Sequence, residues 1–221
     1  MNASAQPDLG ALRRELARSA DIEDRTAQML EVASIVQEAV QPLGLKPVVV
    51  GGLALASWVP SRYLTADIDV IMPHTPVAER VMADLGFRKD GRFWTLAGRD
   101  IVLEAPDSVL RPDPGGFEEL RLPSGRVALV QSPEGVLVVR MEELAGAPVS
   151  DVFEQCLYLI GSGMLDDKKT EELAQRHGLS ELLRWLGVMA RGVDEGAILP
   201  EAWQIEKTVR SLVQPSPSSE S

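Results

Sequence analysis

Two carboxylates one residue apart, Asp67 and Asp69 in Thr65-Ala66-Asp67-Ile68-Asp69-Val70-Ile71, are the groups of this 221-residue chain best placed by type and spacing to do chemistry. In an extended segment, side chains two apart leave the same face, roughly 6 to 7 Å apart at the backbone, so both can converge on one cation. Two like charges on one face repel unless a cation neutralises them. Magnesium takes oxygen ligands, retains waters and commonly binds one or two carboxylates together with substrate phosphates, so a nucleoside triphosphate would complete its shell. Upstream, Val48-Val49-Val50 runs into Gly51-Gly52 and an apolar helix-forming stretch. Glycines there let the backbone approach phosphate oxygens, and the N–H groups opening a helix favour negative charge. Each signal alone has a plain structural explanation: a solvated strand face for the aspartates, an ordinary strand-to-helix turn for the glycines. In this order, on matching elements, they are far more specific together.

The elements that must position these groups follow from periodicity. Met29, Val32, Ala33, Val36 and Val40 recur at helical spacing over 26–41, closed by Pro42 and Gly44. The run 47–50 predicts a short strand buried on both faces, and 53–59 a helix stopped before Pro60. Over 65–71, Ile68 and Val70 alternate with Asp67 and Asp69, which predicts a strand. Pro76 to Leu85 reads as a helix ended by Gly86, and two strands are expected at 92–96 and 101–105. Gly115-Gly116 and Pro123-Ser124-Gly125 frame a hairpin with Val127–Val130 as its better strand. From Ser132-Pro133 onward only helices are expected, at about 133–145, 150–160, 167–177, 179–191 and 200–213.

Composition narrows the setting. With 22 Lys+Arg against 33 Asp+Glu the net charge is 22 − 33 = −11, which excludes a generic basic nucleic-acid-coating protein but permits a local positive groove. At 45% apolar residues the chain can bury a core. The start lacks a basic segment leading into an apolar one, and no apolar run reaches membrane-spanning length, so a cytoplasmic protein with no membrane partner is expected. A single cysteine, Cys156, lies in an apolar string and is read as a buried structural thiol.

The strand, Gly51-Gly52, helix, Asp67-x-Asp69 order resembles the nucleotidyltransferase superfamily of the DNA polymerase beta type. Within it, Gly51-Gly52-Leu53-Ala54-Leu55-Ala56 and Arg62-Tyr63-Leu64-Thr65-Ala66-Asp67-Ile68-Asp69-Val70 look most like the bacterial AbiEii-like enzymes, which include toxins of abortive-infection and toxin–antitoxin systems. Fourteen residues separate Gly52 from Asp67, at the long end of the superfamily spacing. The resemblance implies an α/β (α+β) fold: a minimal mixed sheet flanked by helices, then a C-terminal helical region. It also implies a third carboxylate from a later strand, serving as metal ligand and base. Glu104, 35 residues after Asp69, is the candidate, with Asp100 second and an exposed edge-strand glutamate as the plain alternative. Asp67, Asp69 and Glu104 would then hold Mg2+ or Mn2+ during in-line attack on the α-phosphate of a nucleoside triphosphate.

Nucleotide contacts are expected from Gly51, Gly52, Arg62, Thr65 and Arg140. For Thr65 the alternative is a β-branched strand former; for Arg62 and Arg140, solvated surface arginines. His74 and His177 read as a loop residue and a helix C-terminal residue, and the four tryptophans as core or half-buried. The acceptor hydroxyl stays open among RNA such as tRNA, protein and small molecules, and a toxin role would bring a cognate antitoxin. Residues 80–99 carry five bases against two acids, +3, and 141–195 carry 11 acids against five bases, −6. The basic strip is either a landing site for an anionic acceptor or simple solvation. The expected organisation is a helical lead-in or flexible arm at 1–24, a nucleotidyltransferase domain at 25–131, a helical substrate-cleft domain at 132–213 and a disordered tail at 214–221. The competing reading is a non-catalytic binding module on the same fold; a glycosyltransferase is disfavoured because too little chain precedes Asp67 for its nucleotide domain.

Overall fold

The structure, a computed structural model, describes residues 7–60, 63, 65–96, 98–107, 115–194 and 198–213. Arg62 and the tail 214–221 lie outside the described residues. The chain divides into two compact units: Met1–Ser57, Tyr63–Arg111 and Phe117–Gln131 form the first, and Trp58–Arg62, Pro112–Gly116 and Ser132–Ser221 the second.

The first unit is built on a seven-stranded mixed sheet. Its strands are β1 (Val48–Val49), β2 (Ile68–Ile71), β3 (Phe87–Asp90), β4 (Phe93–Leu96), β5 (Val102–Asp107), β6 (Phe117–Arg121) and β7 (Val127–Gln131), in the order β3-β4-β5-β2-β1-β7-β6. β1 is antiparallel to β2 and parallel to β7, while β2 and β5 run parallel. Helices α1 (Leu9–Arg18), α2 (Arg25–Val40), α3 (Gly51–Trp58) and α4 (Pro76–Leu85) are interleaved. Asp8, Asp24 and Thr75 cap α1, α2 and α4, each side chain accepting from a backbone N–H three residues on. Residues 29–37, 39 and 40 of α2 are buried all round the helix, Glu31, Ser34 and Gln37 included. Buried Gln37 meets its hydrogen-bonding need by donating to the Pro47 and Leu129 carbonyls and accepting from Leu129 N, which pins α2 to β7 and the approach to β1.

The second unit is helical: α5 (Pro133–Gly146), α6 (Ser150–Gly161), α7 (Asp167–Arg176), α8 (Ser180–Asp194) and α9 (Ala202–Val213). Ser132 caps α5 with Pro133 at the first position. Leu137, Val138, Met141, Phe153, Leu159, Leu186 and Val209 are at most 1% exposed and form its core, with the Phe153 and Trp185 rings 5.2 Å apart. Cys156 is fully buried, and burial pushes its thiol pKa far up. Glu134, 3% exposed, accepts from Asp166 N and pairs with Lys169 Nζ at 2.8 Å. Burial alone would raise its pKa, but those donors outweigh it and hold the carboxyl below the ordinary value. Trp203, expected to be core or half-buried, is exposed at 59%, its indole N–H donating to Glu201. Among the described residues, no helix is long and apolar enough to cross a membrane.

The mixed sheet flanked by helices and followed by a helical region is the fold class the sequence implies. Two local expectations change. β3 was absent from the sequence reading, because Phe87-Arg88-Lys89-Asp90 buries only its first side chain and shows no period of two. The strand expected from Thr65 begins at Ile68 instead, so Asp67 sits in the bend leading into β2 rather than on it.

Candidate functional site

β2 and β5 are neighbours inside the sheet, with Ile68 opposite Leu103 and Asp69 opposite Glu104. Ile68 and Leu103 are fully buried, as is Val70 to within 1%, so the alternation of each strand turns Asp69 and Glu104 to the other face. β5 is an interior strand, paired with β2 on one side and β4 on the other, so the edge-strand alternative for Glu104 falls away. Asp67 joins them from the bend. Asp67, Asp69 and Glu104 each offer a carboxylate oxygen within 4.8 Å of the others, and all three are half-buried. Asp100, the second choice, is outside this group.

Like charges directly opposite in a sheet are destabilising, and three carboxylates at this spacing compound the cost. The donor set suits a hard divalent cation: three carboxylates and no soft ligand. Oxygens shared by one Mg2+ at about 2.1 Å lie no more than about 4.2 Å apart. A 4.8 Å limit is therefore within a small side-chain adjustment of one ion, and it suits a pair of ions about 3.5 to 4 Å apart as it stands.

Local contacts orient the group. Thr65 Oγ1 donates to Asp67 Oδ1 at 3.1 Å. Val50 N donates to Asp69 O at 2.9 Å, which ties the start of α3 to β2. Gly51 has φ +60°, and a Cβ there would overlap the Asp69 carboxylate. A Cβ on Gly52 would come to 2.6 Å from Thr65 Oγ1. The two glycines thus do something the sequence did not disclose: they make room for the acidic group and its threonine.

Arg92 reaches the group from the turn before β4. Its Nε lies 2.8 Å from Glu104 Oε1, with the arginine side chain 62% exposed and the glutamate 13%. His74 Nε2 lies 3.0 Å from Ala105 O, tying the segment after β2 to the residue after Glu104. Neither was singled out as a site residue; both act through spatial neighbours distant in sequence. Arg140 belongs to the second unit, where it pairs with Glu143 at 2.6 Å. His177 is the C-terminal cap of α7, with Nδ1 2.8 Å from Glu142. In the basic strip, Lys89 pairs with Glu79, Arg92 with Glu104, and Arg99 donates to Ala17 O, so part of its charge is engaged internally.

No family model and no curated protein matches the chain. Among solved structures it is similar to an antigenic nucleotidyltransferase-like protein from Paracoccidioides brasiliensis, with TM-score 0.49 and 15% identity over 73% of this chain and 92% of that one. It is also similar to the antibiotic-resistance factor ANT(2'')-Ia, with TM-score 0.46 and 15% identity over 81% of this chain and 99% of that one.

Proposed function

We propose that the protein is a metal-dependent nucleotidyltransferase of the AbiEii-like type, moving a nucleoside monophosphate from a nucleoside triphosphate to an acceptor hydroxyl. The observation that carries this reading is the convergence within 4.8 Å of Asp67, in the bend before β2, with Asp69 and Glu104 on the parallel strands β2 and β5, beside a helix that opens with Gly51-Gly52. Asp67 and Asp69 would hold Mg2+ or Mn2+, with Glu104 as third ligand. A metal held there would supply charge neutralisation on the phosphates and at the entering and leaving oxygens.

The chain's own groups do the rest. The first-turn N–H groups of α3 face the negative charge of phosphate. Thr65 holds the Asp67 carboxylate in one orientation. Glu104 takes the proton of the attacking hydroxyl as its oxygen bonds to the α-phosphorus, and the bond from that phosphorus to the β-phosphate's bridging oxygen breaks, releasing pyrophosphate. Arg62 and Arg140 are proposed nucleotide contacts. RNA such as tRNA, protein and small molecules are the acceptor classes under this reading, and a toxin role would add a cognate antitoxin. A non-catalytic module would tolerate acids splayed beyond metal-sharing distance; the observed span weighs against it.

The test uses α-labelled ATP, GTP, CTP and UTP with Mg2+ and cell extract. Label should pass to an acceptor with release of pyrophosphate, and Asp67→Ala with Asp69→Ala should abolish it. Absence of transfer with every triphosphate, or equal transfer by the double variant, sinks the enzyme reading.

A further inference from the structure

The segments that lead into β2 and β5 come together before the strand pairing between them begins. Residue 66 precedes β2 and residue 100 precedes β5, so their carbonyls lie outside the ladder, exposed and open to a side-chain donor. Arg25 supplies one. Its Nη2 donates to Ala66 O at 3.4 Å and to Asp100 O, while Nη1 donates to Gln28 Oε1 at 2.7 Å. Gln28 is held in turn, its Nε2 donating to Ser19 O at 3.1 Å. One guanidinium therefore joins the residue next to Asp67 with the segment four residues before Glu104, and is itself anchored to α2 and the turn after α1.

Helix stability does not account for an arginine there. Arg25 is the first residue of α2, where the helix dipole disfavours a cation and an acid would be the stabilising choice. A planar fork with several N–H donors can hold two carbonyls at a set separation, which a point charge such as lysine does less well.

We propose that Arg25 is a positioning residue, a clamp that sets the distance between the Asp67–Asp69 pair and Glu104. This rests on the metal-site reading above, because the separation matters only if the three carboxylates share a cation. Groups that orient metal ligands typically contribute 10–100-fold to metal affinity or activity.

The test uses the full chain, Mn2+ as probe followed by electron paramagnetic resonance, and amide hydrogen exchange on the metal-free protein. Arg25→Ala should bind Mn2+ about 10-fold or more weakly, with kcat for nucleotidyl transfer down by about 10- to 100-fold and KM for the triphosphate within about threefold. Added guanidinium ion should restore part of kcat, a response that loss of general stability would not give. Arg25→Lys, the milder change should the alanine variant fold poorly, should keep the melting temperature and lose part of the Mn2+ affinity. In the metal-free variants, amides at 66–69 and 100–104 should exchange faster. Unchanged exchange there, or unchanged Mn2+ affinity in both variants, overturns the clamp. Wild-type protein that binds no Mn2+, with exchange faster in the variants as expected, overturns the metal-site reading and the clamp's catalytic role with it, leaving only a structural tie.

Discussion

The first unit holds two groups of three carboxylates, and they are finished in opposite ways. Glu15, Glu31 and Glu38, from α1 and α2, surround Arg126, whose Nε lies 3.3 Å from Glu31 and whose two Nη groups pair with Glu15 and Glu38. That guanidinium is only 16% exposed, and burial lowers its pKa. The chain brings its own cation to this cluster and closes it. Asp67, Asp69 and Glu104 instead converge on one another, and the arginine at their rim, Arg92, is 62% exposed and meets Glu104. An acidic cluster gathered round one guanidinium of the chain's own is architecture; the one whose members converge on each other is the group on which the proposed metal site rests.

Substitutions separate the two. The largest effect is expected from Asp69→Asn: under the proposed function, loss of one of the three metal-binding carboxylates should cut nucleotidyl transfer by about a thousandfold, roughly 4 kcal/mol of transition-state stabilisation. Its melting temperature should fall far less than its activity, since the change is isosteric and relieves repulsion from Asp67 and Glu104. A marked fall in melting temperature with activity intact would place this cluster among the structural ones. Arg126→Met should do the reverse. It takes the cation from three carboxylates, of which Glu31, at 12% side-chain exposure, keeps only the Ser124 hydroxyl as a donor among the described residues, so about 3 kcal/mol of stability should be lost in denaturant titration, with transfer per folded molecule unchanged.

The second unit supplies an acid closed by donors of its own. Glu134→Gln should lose about 2 kcal/mol at pH 7 by weakening charge-assisted bonds to Asp166 N and Lys169. Because its pKa is lowered on folding, that contribution is present above the unfolded carboxyl value and is lost as pH falls through the folded one. Wild type and variant should begin to converge once pH falls below the unfolded carboxyl value, about 4.3, and meet only below the lowered folded value; a gap that does not narrow at all with acid would mean packing rather than charge. The smallest effect belongs to Arg92→Gln: the arginine is 62% exposed, so solvent screens its pairing with Glu104 to less than about 1 kcal/mol, and the melting temperature should stay within about 4 °C of wild type. A larger drop would make Arg92 a closing counter-ion like Arg126 and erase the contrast.

How much of this was legible varied with how local the cause was. Pro133 after Ser132, Pro76 before a helix ended by Gly86, and the helical spacing from Met29 to Val40 act through neighbours in the chain, so those helices were readable to within a few residues. β3 was not, because its single buried residue, Phe87, carries no pattern. Asp67 was misplaced onto a strand for a similar reason. The alternation looks continuous from Thr65, but the Thr65 hydroxyl bonds to the Asp67 carboxylate, and strand pairing starts only at Ile68. Arg25, Arg92 and Arg126 were invisible as partners, since each meets acids or carbonyls that lie elsewhere in the sequence.

The amino-acid order by itself determined the ingredients: a β-branched run emptying into two glycines, a pair of acids one residue apart, and a later strand whose buried alternation turns Glu104 outward. Periodicity and turn chemistry are properties of neighbouring residues, and they survive without any knowledge of the fold. Only the tertiary structure decided which acids meet. The parallel register that sets Asp69 against Glu104, the space that Gly51 leaves for the Asp69 carboxylate, and the half-buried guanidinium that claims Glu15, Glu31 and Glu38 all depend on contacts between segments far apart in sequence. Whether a carboxylate is neutralised from within or left facing its own kind is a matter of three-dimensional neighbours, because the Coulomb energy depends on distance in space.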